Sequence, residues 1–212
     1  METTAVLQKR AAQGDADALF RLGHRLAFGR HRPRPTEWAA VFPLWKQAAE
    51  AGHVRACFYL GVCYEHGRGI LQDLPESIRW FEKAAEQNHP VAMYNLGFSF
   101  RKGDGVAQDS ERMLYWYTKA AKQGDAPSQR DLGWCYRTGF GVEQKDVLAA
   151  YWYRAAARQG DRMAQYNLGL SYEYGEGVKI SARWARYWLA KAACQGHRQA
   201  KVQLRRLADT LV

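Results

Sequence analysis

Ser99 and Lys102 stand in the Ser-x-x-Lys arrangement of penicillin-interacting serine enzymes, where the serine is the nucleophile. Neither Ser-Asp-Asn nor Lys-Thr-Gly accompanies it, so the other parts of that machinery are missing from the sequence. Four cysteines, Cys57, Cys63, Cys135 and Cys194, and the histidines His53, His89 and His197 could hold a metal or act as nucleophiles. The pairs Gly67-x-Gly69, Gly103-x-Gly105, Gly139-x-Gly141 and Gly175-x-Gly177 could cradle a phosphate. A dinucleotide site, however, needs a strand before the first glycine, and none is expected here. The chain has no Gly-x-x-x-x-Gly-Lys-[Ser/Thr], His-Glu-x-x-His or paired Cys-x-x-Cys. The expectation is a protein that is not an enzyme, with no cofactor and no metal.

Spacing explains these residues better than chemistry does. Gly14, Gly52, Asn88, Gly124, Gly160 and Gly196 close strings such as AAQG and AARQG at successive separations of 38, 36, 36, 36 and 36 residues. Leu22-Gly23, Leu60-Gly61, Leu96-Gly97, Leu132-Gly133 and Leu168-Gly169 keep the same steps, as do Gly29, Gly67, Gly103, Gly139 and Gly175. Such a period is the mark of a repeat architecture. Ser99 shares its column with Cys63, Cys135 and Ser171, a position that requires a small side chain. Cys57 and Cys194 fall in two further phases, so no cysteine pair recurs, and free thiols in a reducing compartment are expected. The three histidines share a column with Asp15, Asp125 and Asp161 at the start of a helix. Stacked neighbours about 10 Å apart cannot converge on one ion through bonds of about 2 Å, so these histidines are read as caps or exposed side chains.

Each repeat holds two helices, since its small and apolar residues recur at i, i+4 and i+8, as in Ala164, Leu168 and Tyr172. The first, helix A, starts at the Asp/His column and ends at the Gly-x-Gly turn. Helix B follows Asp73, Asp109, Asp146 or Ser181 and carries aromatic pairs, Trp80-Phe81, Trp116-Tyr117 and Trp152-Tyr153, before an Ala-Ala pair. The small sites admit close helix approach and the aromatics fill the space between layers. The first repeat departs from this pattern, with two extra residues in the loop GRHRPRPT and with Pro43 inside its helix B, which is expected to start late or bend. Leu204-Arg205 replaces the last Leu-Gly pair, so that helix is expected to end the stack. Ala5 to Gly14 reads as a helix B without its helix A.

The pattern A-x-x-x-L-G-x-x-Y-x-x-G-x-G-V followed by W-Y-x-K-A-A-x-Q-G resembles the Sel-one-like repeat, a 36-residue relative of the tetratricopeptide repeat. Residues 162–197 follow it almost throughout, from Ala164, Gln165, Tyr166, Asn167, Leu168 and Gly169 to Trp188, Lys191, Ala192, Ala193, Gln195 and Gly196. The resemblance implies an all-α fold, a right-handed α/α superhelix or solenoid of about five 36-residue repeats. One domain, 1–212, is expected, with a cap helix in 1–14, repeats at 15–51, 52–87, 88–123, 124–159 and 160–195, and a C-terminal cap in 196–212. Members mostly act as adaptors or scaffolds, in bacteria in signalling, secretion and host interaction, an immunity-type role among them. In the tetratricopeptide fold the ligand-facing residues of helix A lie 5 and 2 positions before the Leu-Gly leucine and 2, 5 and 6 after it. Carried over by column, that rule names Phe20, Phe58, Tyr94, Arg130 and Tyr166 before the leucine, and His24, Phe98 and Trp134 after it. Arg101, Arg137 and Tyr174 follow. The implied concave groove is aromatic with a basic centre, suited to a peptide bearing Asp, Glu or a C-terminal carboxylate.

With 212 residues, 47% hydrophobic and 25% charged, the chain can bury a real core and is neither disordered nor fibrous. Its net charge of +10 sits at the ends. Residues 1–46 hold 8 basic and 4 acidic side chains, 47–180 hold 16 of each, and 181–212 hold 7 and 1. Arg30, His31, Arg32 and Arg34 centre one cluster, and Arg183, Arg186, Lys191, Arg198, Lys201, Arg205 and Arg206 form the other. Solubility and prevention of end-to-end stacking account for such ends. The alternative is binding of nucleic acid or another polyanion there, against which the neutral middle argues. No apolar run approaches the ~20 residues of a membrane span, and the first twenty residues lack a secretory h-region. A cytoplasmic monomer with a protein or peptide partner is expected.

Overall fold

The computed structural model describes residues 2–29 and 38–209. The loop basic residues Arg30, His31, Arg32 and Arg34, with most of the first-repeat insertion, lie outside the described residues. Among the described residues there are twelve α-helices and no strand: α1 Thr4–Ala12, α2 Ala16–Phe28, α3 Trp38–Glu50, α4 Val54–His66, α5 Leu74–Glu86, α6 Pro90–Lys102, α7 Ser110–Lys122, α8 Ala126–Thr138, α9 Asp146–Arg158, α10 Arg162–Tyr174, α11 Ala182–Cys194 and α12 Arg198–Asp209. They fall into two compact units, Met1–Asp109 with α1 to α6 and Ser110–Val212 with α7 to α12. Within each unit a helix packs mainly on its neighbours in sequence, the one-dimensional logic of repeat proteins.

The helix starts follow the capping column. Asp15, Asp125 and Asp161 accept the backbone N–H three residues on, at 3.1, 2.9 and 2.7 Å. His53, His89 and His197 do the same through Nδ1, at 3.2, 3.3 and 3.2 Å. Asp73 and Ser181 cap α5 and α11. Asp146 does not cap α9; it is the first helical residue, and Lys145 stands at the cap with no side-chain hydrogen bond. A 36-residue step from Asp109 lands on Lys145, so Asp146 is one place out of register.

The Leu-Gly column works by contact. A methyl group on Gly23 would meet the Trp45 indole at 2.6 Å, one on Gly61 the Phe81 ring at 2.7 Å, and one on Gly133 the Tyr153 ring at 2.7 Å. Helix B therefore lays an aromatic ring directly on the backbone of helix A. Trp45, Phe81, Tyr117 and Tyr153 are fully buried, each contributing on the order of 2 kcal/mol through the apolar area removed from water. Cys63, Ser99, Cys135 and Ser171 are all buried, which accounts for the small-residue column. Burial pushes the Cys63 thiol up to about 12, so it is no nucleophile.

Two first-repeat features depart from expectation. α3 neither starts late nor is shortened: it runs for 13 residues with Pro43 sixth. The proline removes only the hydrogen bond to Ala39, an exposed residue whose carbonyl water can satisfy. Gly29 closes α2 at φ −67°, whereas Gly67 and its later equivalents close their helices in the left-handed region. The sequence there is Gly29-Arg30-His31, without a second glycine. At the far end, Leu189, Ala192 and Ala200 join α11 to α12, with Leu204 and Leu207 packed against them.

Candidate functional site

The sequence expects binding residues on the A helices, and the structure shows four of them in contact with helix caps. In the first unit Phe20 on α2 is 4% exposed and stacks on the His53 ring, centroids 4.5 Å apart. Phe58 on α4 stacks on His89 at 4.7 Å. In the second unit Tyr166 on α10 stacks on His197 at 4.3 Å. Arg130 on α8 donates to Asp161 at 3.0 Å and to Asp131 at 2.8 Å. All four therefore hold the cap of the next A helix, which sequence reasoning missed. A partial signal was available: Phe20, Phe58 and Tyr166 precede histidine caps and Arg130 an aspartate, although Tyr94 also precedes an aspartate, Asp125.

Of the other named residues Tyr174 is exposed and the rest are half-buried. His24 is half-buried beside Phe28, whose ring is 49% exposed, with centroids 4.8 Å apart. Tyr94 and Phe98 lie along α6 with rings 6.5 Å apart, and the Arg101 guanidinium sits 5.1 Å from the Phe98 ring. On α8, Trp134 packs at 5.3 Å from Phe140, and Arg137, three residues on, pairs with Glu176 at 3.3 Å. Tyr174 is 53% exposed, and its hydroxyl accepts a hydrogen bond from Gln203.

A cleft of about 690 Å³ opens on α2 and α4 of the first unit. Phe20, His24 and Phe28 give it an aromatic wall; Arg21, Arg25 and Arg55 bring positive charge. Arg55 lies 4.8 Å over the Phe20 ring. Burial holds His24, His53 and His89 below the ordinary histidine range, and the charge of Arg55 adds to this at each. Arg55 stands five places before Leu60, a position included in the ligand-facing rule.

Among the described residues no group of three or more His, Cys, Asp or Glu could hold a metal ion. All four cysteines are free thiols. No described helix is long and apolar enough to cross a membrane.

The comparisons agree with this geometry. The Sel1 repeat pattern matches residues 54–89, 90–125, 126–161 and 162–197. A protective antigen of uropathogenic Escherichia coli is 32% identical, with a TM-score of 0.89 over 96% of this chain and 43% of its own. A Sel1 repeat protein from Oxalobacter formigenes is also 32% identical, with a TM-score of 0.81 over 92% of this chain and 76% of its own. An immunity protein of Pseudomonas aeruginosa is 26% identical, with a TM-score of 0.53 over 87% of this chain and 67% of its own. Among curated proteins, the DAP3-binding cell death enhancer 1 of Rattus norvegicus is 33% identical over 63 residues, 28% of this chain and 12% of that protein. The chain thus spans less than half of the E. coli antigen and about an eighth of the rat protein. Sel1 repeat proteins generally mediate protein–protein interaction, typically as scaffolds without catalysis. Four matched repeats and an all-α superhelical repeat fold show that the chain belongs to the Sel1 repeat family.

Proposed function

We propose that the protein is a non-enzymatic adaptor that holds a protein or peptide partner on the groove-lining side chains of its A helices. The observation that carries this is the set of aromatic and arginine side chains that the A helices bring together. Trp134 and Arg137 share one face of α8 by their i, i+3 spacing; Phe98 lies under Arg101 on α6; and Phe28 stands half-exposed on α2. Aromatic anchors beside guanidinium groups are what interface hot spots use, and arginine selects carboxylates by its forked geometry. The partner is a segment carrying Asp, Glu or a C-terminal carboxylate. The Pseudomonas aeruginosa immunity protein among the similar structures fits an accessory or immunity-type role in bacterial secretion or signalling.

The test is affinity capture from native lysate by wild type and by the double variant Trp134→Ala, Arg137→Glu, with and without nuclease, at two salt concentrations. Specific proteins retained by wild type, resistant to nuclease and lost in a normally folded variant support the reading. A second reading, polyanion binding, draws on α12, which exposes Arg198, Lys201 and Arg205 along one helix. It requires capture that collapses with nuclease or moderate salt and ignores the double variant.

A further inference from the structure

The first unit already holds an acidic segment of its own chain. The Glu2 carboxylate accepts hydrogen bonds from Arg10 and, at 2.9 Å, from Arg21 Nη1. The Glu2 carbonyl accepts from Arg25 Nη2 at 3.0 Å, and Thr4 Oγ1 accepts from Arg25 Nη1 at 3.0 Å. Two arginines one turn apart on α2 thus grip residues 2–4, one through a side-chain carboxylate and the other through the backbone. The arginines lower the Glu2 carboxyl below its ordinary value, with the Arg10 hydrogen bond the largest cause.

This grip lies at the edge of the cleft on α2 and α4. Among the described residues Arg25 and Arg55 are paired with no carboxylate, and both are exposed. Among the described residues Glu2 is the only acidic one lining the cleft, and its oxygens already serve Arg10 and Arg21. Arg21 also pairs through Nε with Asp17 at 3.0 Å, so its Nη1 becomes available only when Glu2 leaves, whereas Arg55 is open beside the aromatic wall.

The geometry points to this cleft as the docking site for an extended acidic segment of a partner protein, with its carboxylates on Arg55 and Arg21 and an apolar side chain against Phe28 and His24, Glu2 being the internal competitor it displaces. This rests on the protein-binding reading and gives it a place and a partner chemistry. Charge complementarity selects the occupant: a forked guanidinium pairs with a carboxylate in two parallel hydrogen bonds, and the cavity beside it is wide enough for a side chain. The cleft belongs to the first unit alone, so the proposal needs no contribution from the second.

The probe is a fluorescein-labelled peptide of repeated Asp-Glu-Phe triplets, read by anisotropy on the full chain. A Lys-Lys-Phe peptide and labelled oligothymidylate serve as comparisons. Arg55→Glu should weaken the acidic peptide by about tenfold or more, Arg55→Gln by less, and Glu2→Gln should strengthen it about two- to threefold, with melting temperatures unchanged. The opposite signs at Arg55 and Glu2 are what a merely structural role would not produce. Unaltered affinity in Arg55→Glu overturns the site, as does oligothymidylate binding that Arg55→Glu abolishes in preference to the peptide. If wild type and Arg55→Glu retain the same lysate proteins while neither binds the acidic peptide, this site fails and the adaptor reading stands. If neither retains any protein, the adaptor reading fails as well.

Discussion

Arg130 reaches 31 residues ahead to Asp161, at 3.0 Å, at the same place in its repeat where Tyr166 stacks on His197 at 4.3 Å. Asp161 and His197 both cap the next A helix, accepting the N–H of Ala164 and Ala200. Arg130 with Asp161 and Tyr166 with His197 are thus two ways of holding the next cap from one position, although Tyr94 before Asp125 shows that the cap's residue type does not dictate the choice. Arg130→Tyr alone should lower unfolding free energy by about 1–2 kcal/mol, because it strands the part-buried Asp161. Adding Asp161→His should recover most of that loss, since histidine caps at three other positions. A double-mutant cycle by urea denaturation measures the coupling; strictly additive effects would show that the pairing carries no energy.

Glycine serves two different purposes, which substitution separates. Gly133 lies under Tyr153, and Gly133→Ala would push a methyl group into the ring at 2.7 Å. Overpacking of this kind costs about 1–3 kcal/mol. Gly124 has φ +91° with open space around it, so Gly124→Ala carries only the backbone strain of that conformation, about 1 kcal/mol. Chemical denaturation should rank Gly133→Ala as the more damaging, and Tyr153→Leu should relieve part of its cost while relieving none of Gly124→Ala.

Much of this architecture was legible because each repeat states it again. The caps, the Leu-Gly contacts and the left-handed turns recur at fixed steps, so periodicity alone located them. The binding columns were harder to read. Phe20 and Phe58 sit where a ligand-facing rule puts them, yet spacing within one helix cannot show that their rings are taken by His53 and His89 of the next helix. That contact couples residues about one repeat apart and needs the stacking geometry. The glutamines show the same limit: Gln195 donates to Gly160 O and Gln165 Oε1, while Gln165 donates to Ala157 O. The sequence displayed Gln195 as part of a conserved-looking string within the chain but gave no sign of the two-repeat chain of bonds. Replacing buried Gln165 with Leu should cost about 1–3 kcal/mol by leaving the Ala157 carbonyl and the Gln195 amide short of partners.

The thiols should divide by burial. Cys57, Cys63 and Cys135 are buried, whereas Cys194 is exposed on α11. Burial raises the Cys57 and Cys63 thiols, which keeps them protonated at neutral pH. An aromatic disulfide reagent should titrate Cys194 rapidly in the native protein and reach the other three only after denaturant is added. Rapid modification of Cys135 would instead reveal local opening of α8.

The histidine caps make stability depend on pH in a direction set by their hydrogen bonds. Nδ1 of His53, His89 and His197 must keep its lone pair to accept a backbone N–H, so protonation destroys the cap. Burial, the largest cause at each, holds all three below the ordinary value of 6.5. A lowered folded-state pKa means that the unfolded chain binds protons first as pH falls. The stabilisation is complete above about pH 7 and is lost as pH falls through the unfolded value towards the folded one. The expected loss is on the order of 1 kcal/mol between about pH 7 and pH 5.5, well before the carboxylate caps titrate. Replacing His53 and His89 with Asp keeps an acceptor at each cap while removing its titration near neutrality. Thermal melts of that double variant should show a flatter pH dependence than wild type, and an unchanged slope would place the titration elsewhere.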